Sequence, residues 1–244
     1  MKLLVVKDYE EMSEVAAKIF KEVISEKTNA VLGLATGSTP EGLYKKIIEM
    51  NRNKEIDFSN IKTVNLDEYV GLGGEDPQSY RYFMNEKLFN HVNINKANTF
   101  VPNGLAKNLD EEAKNYDKKV DELGGIDIQI LGIGANGHIA FNEPDDFLIA
   151  ETHVTGLTKT TIEANSRFFK SIEEVPTKAL SMGLGQIMKA RKIVLLVRGQ
   201  DKAEAIKGLF KGNITTHNPA TMLHMHKDVT VIIDEEMANA IKQL

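Results

Sequence analysis

The sequence predicts an α/β protein with an open, mostly parallel sheet and helices on both faces. Three observations predict it. Short apolar runs alternate with stretches of helical period along nearly the whole chain. Several runs, such as AVLGLA and KIVLLV, are apolar without alternation, as strands covered on both sides are. Polar turns rich in glycine, Ser, Thr and Asn fall just past the ends of those runs, where loops of a parallel sheet converge.

In chain order, LLVV (3–6) is the first strand. The helix after it sets Met12, Val15, Ala16, Ile19, Val23 and Ile24 on one face at a 3.6-residue period. AVLGLA (30–35) is a buried strand. TPEGLYKKIIEM (39–50) is a helix with Pro40 near its start, where a missing N–H costs least. IKTVNLD (61–67) is a strand, and SYRYFMNEKLF (79–89) a helix. DEEAKNYDKKVDELG (110–124) is a polar surface helix closed by glycines. IDIQILGIG (126–134) is the most strongly apolar strand. KIVLLVRG (192–199) and VTVIID (229–234) are strands separated by the helix DKAEAIKGLF (201–210), and a last helix begins near Glu235. No repeat, linker or low-complexity tract interrupts the pattern. One domain is expected over 1–244, with segment 145–190, rich in Thr, Ser, Gly and charges, as a candidate lid.

Composition narrows the function classes. Apolar content of 42% and charged content of 27% are those of a globular protein. A net charge of −5 argues against a nucleic-acid binder, which usually carries a basic excess, but allows a small anionic substrate in a locally positive pocket. With no cysteine there is neither a disulfide frame nor a thiolate site. The opening MKLLVVKDYEEM has too short an apolar run for a signal peptide. No apolar stretch approaches the roughly 20 residues that span a bilayer. A cytoplasmic protein without membrane contact is expected.

The chemistry is read where strands end. LATGSTP (34–40) sets Thr36, Gly37, Ser38 and Thr39 before a helix, whose free N–H groups suit an anion. The plain alternative is helix capping, since Ser38-x-x-Glu41 has the form of a capping box. In NLDEYVGL (65–72), Asp67 and Glu68 are adjacent, so in an extended segment they point opposite ways and one of them is structural. GIGANGHIAFNEP (132–144) combines Gly132, Gly134 and Gly137, which permit positive φ and close approach, with Asn136, His138 and Glu143. A carboxylate that orients an imidazole makes a proton shuttle, with Asn136 available on the other side. NSRFF (165–169) and RGQDKA (198–203) supply Arg167 and Lys202, a planar fork and a point charge that suit phosphate. The HMH of 224–226 has no third ligand near it in sequence and reads as structural, so no metal site is assigned.

In combination and order, NLDEYVGL, GHIAFNEP, NSRFF and RGQDKA resemble the glucosamine-6-phosphate deaminase family over nearly the whole chain. The resemblance implies a Rossmann-like fold and conversion of glucosamine 6-phosphate and water into fructose 6-phosphate and ammonia, in amino-sugar catabolism, without cofactor or metal. It makes Asp67 the base that moves a proton between C2 and C1. It gives His138 and Glu143 the opening of the pyranose ring, with Asn136 completing a triad where many members carry Asp. A neutral partner there should support the imidazolium less. Thr36, Gly37, Ser38, Thr39 and Gly134 would form the sugar-phosphate pocket, with Arg167 and Lys202 closing on the phosphate.

Two alternatives stand beside this reading. 6-Phosphogluconolactonases share the glycine–histidine element but do not follow it with AFNEP. A sugar-phosphate sensor that regulates transcription would need a DNA-binding segment, for which there is no room. Long hexameric deaminases are activated by N-acetylglucosamine 6-phosphate through residues shortly after FNEP and through the chain ends. The matching positions here are Asp146, His153 and Thr155, and the chain ends at Leu244. No allosteric activation and a monomer or small homo-oligomer are therefore expected.

Overall fold

The computed structural model describes residues 1–243; Leu244 and the side chains of Ala164, Phe168 and Gln243 lie outside the described residues. The strands are β1 (Lys2–Val6), β2 (Val31–Leu34), β3 (Lys62–Asn65), β4 (Asp67–Tyr69), β5 (Thr99–Phe100), β6 (Ile128–Leu131), β7 (His153–Gly156), β8 (Lys178–Ser181), β9 (Lys192–Val197) and β10 (Val229–Asp234). The α-helices are α1 (Tyr9–Glu26), α2 (Glu41–Arg52), α3 (Tyr80–Met84), α4 (Leu109–Glu122), α5 (Lys159–Asn165), α6 (Leu184–Ile187), α7 (Ala203–Phe210) and α8 (Glu235–Gln243).

Seven strands form one sheet in the order β1-β10-β9-β6-β2-β3-β5, every pair parallel. Its central strands β2, β6, β9 and β10 are mostly apolar because they are buried on both faces. The chain runs one way across the sheet through β2, β3 and β5, then reverses through β6 and β9. Right-handed crossovers therefore put α1, α2 and α3 on one face and α4, α6 and α7 on the other. The packing agrees for the first face, where α1 lies on α2; α8 packs on α7. This is the expected fold class.

Several elements differ from the sequence reading. The expected strand 61–67 breaks at Leu66, whose N–H bonds Leu34 O at 3.2 Å while its carbonyl accepts the Met182 N–H at 2.7 Å. The chain crosses there from the parallel sheet into a second sheet, antiparallel, in the order β4-β8-β7. Strands β5, β7 and β8 have only two to four residues each, too few for a legible period. The expected helix 79–89 begins as α3 and continues as a π-helical turn, Asn85–Phe89, closed by Asn90 N–H on Asn85 O. Segment 145–190 holds β7, α5, β8 and α6, and β8 pairs its Ser181 with Asp67. A second small apolar cluster of Tyr69, Phe141, Leu157 and Ala179 accompanies the second sheet.

Candidate active site

The carboxyl ends of β2, β3, β6 and β9 open on a cleft of about 830 Å³. It lies at the point where the strand order reverses, because β2 leads to β3 on one side while β6 leads to β9 on the other. Thr36, Gly37, Ser38, Thr39, Asp67, Gly134, Asn136, His138, Arg167 and Lys202 all line it. Of the sequence-predicted residues only Glu143 is set behind that lining, in contact with His138.

Strand alternation separates the paired carboxylates, as the sequence required. Asp67 faces the cleft with Tyr69, two residues on, and Glu68 points away. Glu68 accepts three backbone N–H groups, from Tyr69 at 2.8 Å and from Tyr80 and Arg81 at 2.9 Å, and so holds the start of α3. It is the structural member. Asp67 is only 7% exposed, and no donor among the described residues bonds its carboxylate. Burial, and secondarily the charge of Glu68, push its carboxyl from 3.8 up to about 8. A group with that proton affinity can take and return a proton near neutral pH.

His138 and Glu143 meet as predicted. His138 Nδ1 donates to Glu143 Oε2 at 3.2 Å, which leaves Nε2 as the acceptor. Burial acts to raise the Glu143 carboxyl, but the His138 hydrogen bond and charge, with donors from Thr161 and Asn136, outweigh it and hold it at about 2. Of the three glycines expected at positive φ, only Gly137 (φ 89°) adopts it; a Cβ there would also strike Asn218 Oδ1 at 2.2 Å. Gly134 permits a different approach, because a Cβ would lie 2.3 Å from Cε1 of His138. Its first service is therefore to seat the imidazole, with the cleft wall following from that.

At the other end of the cleft, capping does not consume the hydroxyls. Pro40 stands at the N-cap of α2 with no side-chain cap bond, and the hydroxyls of Thr36, Ser38 and Thr39 bond nothing among the described residues. Gly37 has φ 90°, open to a ligand. Tyr9 braces this loop: its hydroxyl donates toward Ser38 O (3.0 Å) and Thr39 O (2.9 Å) and accepts the Gly42 N–H at 2.8 Å. Lys202 reaches the cleft from a short 3-10 turn, Gln200–Lys202, and pairs with its neighbour Asp201. Arg167 stands on another 3-10 turn, Ser166–Phe168, directly after α5.

These residues also match known proteins in sequence. The model for glucosamine-6-phosphate isomerases/6-phosphogluconolactonase matches residues 8–232. A glucosamine-6-phosphate deaminase of Clostridium perfringens is 58% identical over 242 residues, 99% of this chain and 100% of that protein. One of Thermoanaerobacter sp. is 60% identical over 241 residues, 99% of this chain and 95% of that protein. The chain belongs to the glucosamine-6-phosphate deaminase family. A solved monomeric glucosamine-6-phosphate deaminase superposes with a TM-score of 0.96 at 49% identity, covering 98% of this chain and 100% of that one. A 6-phosphogluconolactonase from Trypanosoma cruzi, at 21% identity and a TM-score of 0.77, shares the fold.

Asn136 has a different geometry from the one expected. Asn136 does not reach the imidazole. Its Nδ2 donates to Glu143 Oε2 at 2.6 Å, and its Oδ1 accepts the His138 backbone N–H at 3.2 Å. The backbone donor fixes which end of the amide points where. Asn136 thus supplies Glu143 with a proton donor, where an ionised Asp would set two carboxylates side by side.

Sequence reasoning missed Thr161, whose hydroxyl donates to Glu143 Oε1 at 2.6 Å, and Thr158, whose hydroxyl donates to that of Thr161 at 3.0 Å. It missed Arg198, which lines the cleft with its guanidinium 4.2 Å from the Tyr9 ring centroid. Only the presence of RGQDKA beside a strand end pointed toward it. The two histidines of HMH are structural, as read: His224 Nε2 donates to Leu209 O and His226 Nε2 to Ala190 O, each at 2.6 Å. No described helix is long and apolar enough to cross a membrane.

Proposed function

We propose that this chain converts glucosamine 6-phosphate and water into fructose 6-phosphate and ammonia. The observation that supports the reading best is a buried Asp67 carboxylate, free of hydrogen bonds among the described residues, in one cleft with the His138–Glu143 pair and a loop of solvent-accessible hydroxyls. The phosphate binds the loop of Thr36, Gly37, Ser38 and Thr39, with Arg167 and Lys202 closing on it. His138 Nε2 takes the proton of the O1 hydroxyl and returns it to the ring oxygen, which opens the ring. Glu143, ionised throughout, steadies the imidazolium formed between the two transfers. Asp67 then removes the C2 proton to give an enolamine and delivers it to C1. The resulting ketose imine adds water at C2 and releases ammonia. Each step is a proton transfer, an addition or an acid–base-assisted elimination, which these groups can support.

Residues 1–244 act as one catalytic unit, and the part of 145–190 that forms a cleft wall closes over the substrate. A monomer or small homo-oligomer is the proposed state, as in the solved monomeric deaminase. The test is a coupled assay of the purified protein with glucosamine 6-phosphate. Ammonia and fructose 6-phosphate should appear in equal amounts, with 6-phosphogluconolactone left intact. Lactone hydrolysis without ammonia release would overturn the assignment.

A further inference from the structure

We propose that Thr161 is a positioning residue for ring opening, and that through it α5 links phosphate capture at Arg167 to the setting of Glu143. The proposal rests on the deaminase reading above. The two oxygens of Glu143 have separate tasks. Oε2 meets His138 and Asn136, while Oε1 accepts from Thr161 at 2.6 Å. Thr161 is buried, 6% exposed, and its hydroxyl also accepts from Thr158 at 3.0 Å. A hydroxyl has one hydrogen, so that of Thr161 is committed to the carboxylate. The last torsion of a glutamate is broad and soft, so two anchored oxygens fix a plane that one cannot. Without the Thr161 donor the carboxylate turns, and the ring of His138, oriented by it, turns with it.

Helix α5 carries this contact to the far end of the cleft. Asn165, four residues on and so on the same helix face, donates to the Tyr69 hydroxyl at 2.9 Å. Tyr69 lies on the same strand and the same face as Asp67. The next turn carries Arg167 into the cleft. A seven-residue helix has little stability of its own, so its position depends on what its side chains hold. A phosphate on Arg167 adds an anchor at one end, and Thr161 delivers the resulting order to Glu143 at the other. Binding energy from a part of the substrate that does not react is thereby used to align the groups that do.

The test compares Thr161→Val, which keeps shape and loses the donor, with Thr161→Ser, which keeps the donor. The readouts are kcat and KM for glucosamine 6-phosphate, in the wild-type and the Arg167→Ala backgrounds. Thr161→Val should lower kcat about tenfold or more, the worth of one hydrogen bond to a charged group, and move KM much less. Thr161→Ser should recover most of the rate. In the Arg167→Ala background the same valine should lower kcat by less than about threefold, because the link is already broken. Where the valine variant does not fold, as judged by thermal melting, Thr161→Ala takes its place with the same expectation. A valine variant with wild-type kcat overturns the proposal, and so does a serine variant as slow as valine. Losses that simply multiply in the double variant overturn the link to phosphate. A wild-type protein that releases no ammonia fails earlier, on the deaminase reading itself.

Discussion

Asp67 should make the protein less stable than it need be, and Asp67→Asn should show by how much. The carboxyl shift from 3.8 to about 8 spans about four units. At ~1.4 kcal/mol per unit, that sets a ceiling of about 6 kcal/mol. The sign follows from where the proton sits. Below about pH 4 the group is protonated in both folded and unfolded chains. From there to about pH 8 only the folded chain holds the proton, so stability falls as pH rises; above about 8 the full cost of a buried carboxylate is present. An amide does not ionise, so the variant escapes this slope, while titrating groups that do not interact with Asp67 cancel in the comparison. Between pH 5 and pH 9 about three of the four units are crossed, and wild type should lose ~4 kcal/mol relative to the variant. Urea unfolding at the two pH values reads this as a relative midpoint shift of about 1 M or more. The variant should also lose about 10²- to 10⁴-fold in rate, and wild-type kcat/KM should rise with pH through about 8. A difference in stability between the two proteins that is the same at pH 5 and pH 9 would refute the argument that burial, without a compensating donor, raises this carboxyl.

His138→Gln should slow the reaction of cyclic glucosamine 6-phosphate yet spare steps that start from an open-chain analogue; equal losses on both would contradict a role confined to ring opening. Arg167→Ala and Lys202→Ala should each raise KM well beyond any change in melting temperature, since each removes a charge-assisted bond to phosphate. Unphosphorylated glucosamine should accordingly be a very poor substrate, and comparable turnover would show that no phosphate pocket exists. Substrate saturation should be hyperbolic and insensitive to N-acetylglucosamine 6-phosphate, because Asp146 is acidic and Thr155 uncharged at the positions that the resemblance would assign to an effector phosphate. Sigmoidal saturation that the acetylated sugar converts to a hyperbola would overturn that expectation.

Local pattern was enough for part of this protein. Runs such as VTVIID and KIVLLV are buried on both faces, so they are mostly apolar without a two-residue alternation, and their ends are visible in the sequence. Those ends carry LATGSTP, NLDEYVGL and GIGANGHIAFNEP, and a parallel sheet brings its strand ends to one edge. The division between Asp67 and Glu68 was legible for a similar reason, since adjacent residues of an extended segment face opposite ways. What the sequence could not decide were partnerships set by packing between distant segments. Ser38 and Thr39 fit a capping pattern, yet Pro40 takes the cap and leaves their hydroxyls to the cleft. Asn136 suited the imidazole by position, but the turn directs its amide to Glu143. Strands β7 and β8 are too short to show a period; only their pairing with each other, and that of β8 with β4, makes them strands and fixes Asp67 at the cleft wall. Thr161 lies 18 residues from the carboxylate that it holds. A hydrogen bond over that separation depends on where α5 packs, and no spacing along the chain encodes it.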